Sequence, residues 1–149
     1  MLTRRTLLAV APALALRPAA ARAATPEVYA EGGVAIDGTD PTSYFTAGRP
    51  VPGDPAITLD WRGATWRFAS AAARDRFAAG PEAYAPQFGG YCAWAVAEGY
   101  TAATVPEAWE IVDGRLYLNF SRRIHRRWAR DIEGNIARGE ANWPAVLTK

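Results

Sequence analysis

The chain of 149 residues holds one cysteine, Cys92, and one histidine, His125. A single thiol excludes an internal disulfide, so packing alone must hold the fold together. A single imidazole, set among the arginines of 122–127, leaves no oriented base for a Ser-His-Asp or Cys-His triad. With Met1 inside a leader, Cys92 and His125 are the only soft donors of the mature chain. A structural zinc is thereby excluded, and a transition metal needs oxygen ligands or a second chain. No apolar run reaches the roughly 20 residues of a membrane-spanning helix. The pairs Gly32-Gly33 and Gly89-Gly90 lack both a Gly-Lys-Ser/Thr ending and a Gly-x-Gly-x-x-Gly frame, which excludes a phosphate loop.

What is present begins with Arg4 and Arg5, framed as Thr3-Arg4-Arg5-Thr6-Leu7-Leu8, with apolar residues on to Leu16 and the small-residue site Ala21-Arg22-Ala23. This is the pattern of a twin-arginine export signal over residues 1–23. The expectation is a periplasmic or secreted protein that starts near Ala24 and has no permanent membrane anchor. Removing those residues takes away four arginines and no acid, so 17 positive against 15 negative charges become 13 against 15. The mature net charge is then −2, and the apparent pI of 8.9 belongs largely to the leader. Nucleic acid, which needs a concentrated basic surface, is not an expected partner. The one dense basic run, Arg122-Arg123-Ile124-His125-Arg126-Arg127, reads first as a solvated helix face and second as an anion or partner patch.

Residues 24–33 read as a polar lead-in and 34–149 as a single domain. Val34-Ala35-Ile36 is a short extended segment. Asp40 with Pro41 opens a helical turn that Gly48 stops. Ile57–Trp61 and Ala64–Phe68 alternate around Arg62-Gly63, as do Trp109–Val112 and Arg115–Asn119 around Asp113-Gly114, and both read as β-hairpins. Ser70 caps a helix over Ala71–Ala79, and a short helix over Tyr91–Ala97 ends at Gly99. Ser121 caps a last amphipathic helix, whose buried stripe is Ile124, Trp128 and Ile132. The expected class is α+β: two hairpins forming a small antiparallel sheet, packed by short helices and a longer C-terminal helix.

Three blocks carry a family resemblance: Gly38-Thr39-Asp40-Pro41-Thr42-Ser43-Tyr44-Phe45; Thr65-Trp66-Arg67-Phe68-Ala69-Ser70 with Arg74, Phe77, Pro81 and Tyr84; and Tyr84-Ala85-Pro86-Gln87-Phe88-Gly89-Gly90-Tyr91-Cys92-Ala93. Together they resemble an exported YHS-domain protein over roughly Val34 to Trp143. The resemblance implies a place in a YHS and TRASH group associated with metal handling. Carried over by position, the group's metal-binding cysteines and histidine fall on Ser43, Ala69 and near Ala73, none of which is a soft ligand. The group's usual metal site is therefore not expected here.

Cys92 has three readings. It is a buried small hydrophobe, or a redox-active or metal-binding thiol activated by following Gly89-Gly90 at a helix start, or a partner in an intermolecular disulfide. Its neighbourhood is expected to include Tyr91, Tyr44 and Asp40 if the first capped turn packs beside the Gly-Gly loop. His125 reads as an exposed, idle side chain. Asp37 with Asp40, and Glu107 with Glu110, read as turns, caps and solvated edges, and the tryptophans as core. The first functional reading is a binding or accessory module holding a metal ion or small ligand, with Asp40, Tyr44, Gly89, Gly90, Tyr91 and Cys92 as candidate ligand-binding residues and Cys92 as the metal contact. The alternatives are a thiol redox enzyme or redox partner using Cys92, and a structural domain for another periplasmic protein.

Overall fold

The computed structural model describes residues 15–19 and 24–149. Arg4, Arg5 and the Ala21-Arg22-Ala23 site lie outside them. Among the described residues no helix is long and apolar enough to cross a membrane.

The architecture is α+β, as expected, but its strands are shared differently. Strands β1 (Ala30–Glu31), β2 (Val34–Ala35), β3 (Asp54–Trp61) and β4 (Ala64–Phe68) form one sheet in the order β1-β2-β4-β3. Strands β5 (Trp109–Val112) and β6 (Arg115–Leu118) form a separate two-stranded sheet, so the two hairpins do not share one. The place beside β4 is taken instead by β2, in parallel at Val34 and Thr65. The lead-in is thus part of the fold: Ala30 pairs with Ala35, and Val28 is buried.

Both hairpins turn where two consecutive residues take positive φ: Arg62 and Gly63 at 49° and 76°, Asp113 and Gly114 at 50° and 75°. Such turns match the twist of the strands they join. Ser70 caps α2 (Ala71–Ala79) by accepting from the Ala73 amide at 3.1 Å, and Ser121 caps α5 (Arg122–Trp128) by accepting from Ile124 at 3.1 Å. The first helix, α1 (Ser43–Thr46), starts two residues later than Pro41, and α4 (Ala93–Glu98) starts at Ala93 rather than Tyr91. Between α2 and α4 the chain makes one turn of helix, α3 (Pro81–Tyr84).

The last helix is interrupted. Residues Ala129–Asp131 form a tighter turn, and Asp131 caps α6 (Ile132–Asn142) by accepting from Gly134 at 3.1 Å. Trp128 is fully buried at this joint, while Ile124 and Ile132 are half-buried.

Two apolar cores result. The first gathers Trp66, Phe68, Phe77, Tyr44, Leu116 and Leu118; the second gathers Phe88, Tyr91, Val96, Tyr117 and Trp128. Strand β6 serves both, because alternate side chains of a strand point to opposite faces: Leu116 and Leu118 enter the first core and Tyr117 the second.

Candidate functional site

The six candidate residues do not form one site. Asp40 is buried, and its Oδ1 accepts from the Thr42 amide at 2.9 Å and the Thr42 hydroxyl at 2.7 Å, while Oδ2 accepts from the Ala69 amide at 3.0 Å. One carboxylate thus ties the α1 turn to the end of β4, with both of its oxygens engaged inside the fold. Tyr44 donates to the Pro106 carbonyl at 2.9 Å and packs edge-on against Trp109. Burial drives its phenol far above the ordinary range, with Glu107 adding to the rise. Both residues belong to the first hairpin's side of the molecule. Among the described residues, no hydrogen bond joins them to the Gly89–Cys92 segment, and Tyr44 packs in the first core where Tyr91 packs in the second, contrary to the expected grouping around Cys92.

Tyr91 donates to the Pro26 carbonyl at 2.7 Å and stands between Tyr29 and Trp143 in the second core. Gly90 offers its carbonyl to the Thr104 hydroxyl at 2.7 Å. Cys92 is only 1 % exposed; its sulfur accepts from the Phe120 amide at 3.3 Å and faces the Asn119 Oδ1 at 3.6 Å. That oxygen also accepts from the Trp94 amide at 3.0 Å. Burial pushes the thiol pKa up, against a smaller lowering from the backbone amides of Ala95, Phe120 and Trp94. Of the three readings of Cys92, burial favours the first, the small buried hydrophobe, over a thiolate activated at a helix start, because desolvation outweighs the amides.

A neutral, enclosed thiol has two measurable consequences. Alkylation of Cys92 by iodoacetamide at neutral pH should stay negligible until denaturant opens the fold. Because the folded-state pKa lies above the ordinary 9.0, the stabilising contribution of the neutral thiol is complete below that value and is lost as pH rises past it. Thermal melts should therefore fall on the alkaline side of pH 9, and less so in Cys92→Ser.

The metal implied by the family resemblance does not fit. Ser43, at the first ligand position, donates to the Asp40 carbonyl at 2.7 Å and accepts from the Val51 amide at 3.0 Å, so its hydroxyl is engaged in both directions. Ala69 and Ala73 offer no side-chain donor atom. Among the described residues no group of three or more His, Cys, Asp and Glu side chains converges, and the hydrogen-bond partners of the Cys92 sulfur are the Asn119 amide oxygen and the Phe120 backbone amide. His125 is not idle, contrary to expectation: its Nε2 lies 2.6 Å from Glu110 Oε2, joining α5 to β5.

A concave feature of the described surface is reached by Gly89 but not by Gly90, Tyr91 or Cys92. A cleft of about 450 Å³ is lined by residues of both cores and by the Pro86–Gly89 stretch. Its charged wall is Arg62, held between Glu27 at 3.5 Å and Glu82 at 2.8 Å, with its guanidinium 4.3 Å from the Trp61 ring centroid. A second pair, Arg115 and Glu140 at 3.4 Å, also lines it. Trp61, Phe88 and Trp143 supply flat apolar surface. Of the six candidate residues only Gly89 reaches this cleft. It has φ of 62°, and a Cβ there would overlap the Glu27 carbonyl oxygen and come within 3.2 Å of the Trp143 ring.

Sequence reasoning missed the cleft because Glu27, Arg62, Glu82, Arg115 and Glu140 come from five separate segments, each reading as an ordinary surface charge. The sole local signal was the close-packed Pro86-Gly89-Gly90 loop, which marks a tight backbone approach without saying to what. No family model, curated protein or solved structure matches the chain.

Proposed function

We propose that the chain is an exported, YHS-type binding module that acts without catalysis and holds a small zwitterionic organic ligand in the Arg62–Arg115 cleft. The observation that carries this reading is the alternating charge of the cleft, Glu27-Arg62-Glu82 on one wall and Arg115-Glu140 on another, over an aromatic lining. A ligand carboxylate gains bidentate partners in the guanidinium groups, a ligand ammonium exchanges for one in the pairs with the glutamates, and a ring or chain lies on Trp143 and Phe88. The volume falls in the range of small-molecule sites, about 300 to 1,000 Å³. The ion pairs are solvent-exposed and so weak that a ligand displaces them at little cost.

This moves the first functional reading from Cys92 to the cleft that Gly89 lines. The thiol redox reading has no comparable support, since the sulfur is covered and its pKa is raised. The test is a screen of amino acids and aromatic zwitterions by thermal shift and tryptophan fluorescence on residues 24–149. The double variant Arg62→Gln with Arg115→Gln should weaken a hit at least about tenfold, the worth of one lost charge-assisted contact. Cys92→Ser should leave it unchanged. A hit lost in Cys92→Ser and kept in the double variant would reject the proposal, as would the absence of any hit.

A further inference from the structure

Independently of the cleft, the surface around α5 has a composition that folding does not explain. Arg122, Arg123, Arg126, Arg127 and Arg130 are all exposed, and among the described residues none of the five pairs with a carboxylate. Of the acids that follow them in sequence, Asp131 caps α6 and faces Arg138, Glu140 faces Arg115, and Glu133 is exposed on α6 without pairing to any of the five. Five positive charges thus stand together on a chain segment, 24–149, in which acids outnumber bases by two. Four of them, Arg123, Arg126, Arg127 and Arg130, line a shallow bowl of about 640 Å³ that has no acidic lining residue.

The same bowl carries Phe120, 54 % exposed, where every other phenylalanine contributes to one of the cores. Phe120 is not a loose side chain by accident of a flexible loop. Its amide is held by the Cys92 sulfur at 3.3 Å, and the neighbouring Asn119 is fully buried. Arg127 is likewise fixed, with its guanidinium 4.9 Å from the Trp94 ring centroid. The packed interior therefore presents an apolar ring outward within a field of unpaired guanidinium groups.

We infer that this face is a peripheral docking surface for an anionic lipid bilayer, with the arginines on headgroup phosphates and Phe120 inserted among the acyl chains. Charge complementarity selects an anionic occupant, and an exposed phenyl ring in the same bowl as the arginines selects one that accepts an apolar insertion. Phe120 is more than half exposed and shares the bowl with the arginines, so an occupant that offers both phosphates and an apolar phase, a bilayer, satisfies both features where an acidic peptide satisfies only the charge.

The test uses residues 24–149, which contain both cores and every described helix and strand, so that the apolar leader does not itself bind lipid. Cosedimentation is measured with vesicles of phosphatidylcholine alone and with about one-third phosphatidylglycerol. Binding should require the anionic lipid and fall with salt. Arg123→Gln, Arg126→Gln and Arg130→Gln combined, leaving Arg127 on Trp94, should weaken it about a hundredfold, at about fivefold per arginine. Phe120→Ala should weaken it about tenfold with an unchanged melting temperature. Equal binding to both vesicle types, no binding to either, or binding unaffected by the triple variant would overturn the inference. So would capture of a poly-glutamate peptide by the arginines without vesicle binding, which would assign the face to an acidic protein. Failure here leaves the ligand cleft untouched, because the two surfaces share no lining residue.

Discussion

Gly89→Ala is expected to destabilise the chain severely. Position 89 combines a φ of 62° with an approach so close that a Cβ would overlap the carbonyl oxygen of Glu27. The left-handed conformation alone costs a non-glycine residue about 1 kcal/mol. The overlap is with backbone, and that backbone is fixed by the Tyr29 amide donating to the Gly89 carbonyl at 2.9 Å and by Tyr91 donating to Pro26 at 2.7 Å. Relief requires the lead-in to leave the loop, which also opens the cleft wall at Glu27 and Arg62. A loss above about 3 kcal/mol follows, a large share of the stability of a domain this size. Gly48→Ala is the control: its φ is 66°, but nothing lies within 4 Å of the new Cβ, so only the conformational cost should be seen. Chemical denaturation of the two variants separates strain from overlap.

Phe77→Ala is expected to cost about 3 to 5 kcal/mol and to lower the melting temperature by about 10 to 20 °C. Phe77 is fully buried, with ring centroids of Trp66, Phe68 and Trp61 at 5.1, 5.2 and 5.6 Å. Those rings are held by the β3–β4 hairpin, and Trp66 also donates to the Trp61 carbonyl at 3.0 Å. They are not free to collapse into the space a benzyl group leaves, so the cavity contribution is large. Differential scanning calorimetry should show the loss, while Phe120→Ala, on the exposed ring, should melt like the parent chain.

These two positions also mark what a linear reading can and cannot reach. The helix that carries Phe77 is legible because Ser70, three residues ahead of the Ala73 amide it holds, fixes its start. The Arg62-Gly63 and Asp113-Gly114 turns were recognisable because local backbone preference decides them. By contrast, β2 joins β4 through one residue pair, Val34 and Thr65, which no alternation announces. The interruption at Ala129–Asp131 depends on Asp131 competing with helix continuation by capping Gly134. His125 reads as idle among arginines until β5 brings Glu110 to it. Asp40 and Cys92 were chemically conspicuous, and folding accounts for both: the carboxylate joins α1 to β4, and the sulfur anchors the Phe120 amide. The cleft was illegible for the complementary reason that its charges are ordinary singly and are brought together only by tertiary packing.

The central claim, that ligand recognition belongs to the cleft and not to the thiol, is tested most directly by amide and indole chemical shifts in isotope-labelled residues 24–149 titrated with a zwitterion found in the screen. The account predicts saturable shifts confined to Trp61, Arg62, Phe88, Gly89 and Trp143. Shifts centred on Cys92, Trp94 and Asn119, with the cleft silent, would contradict it.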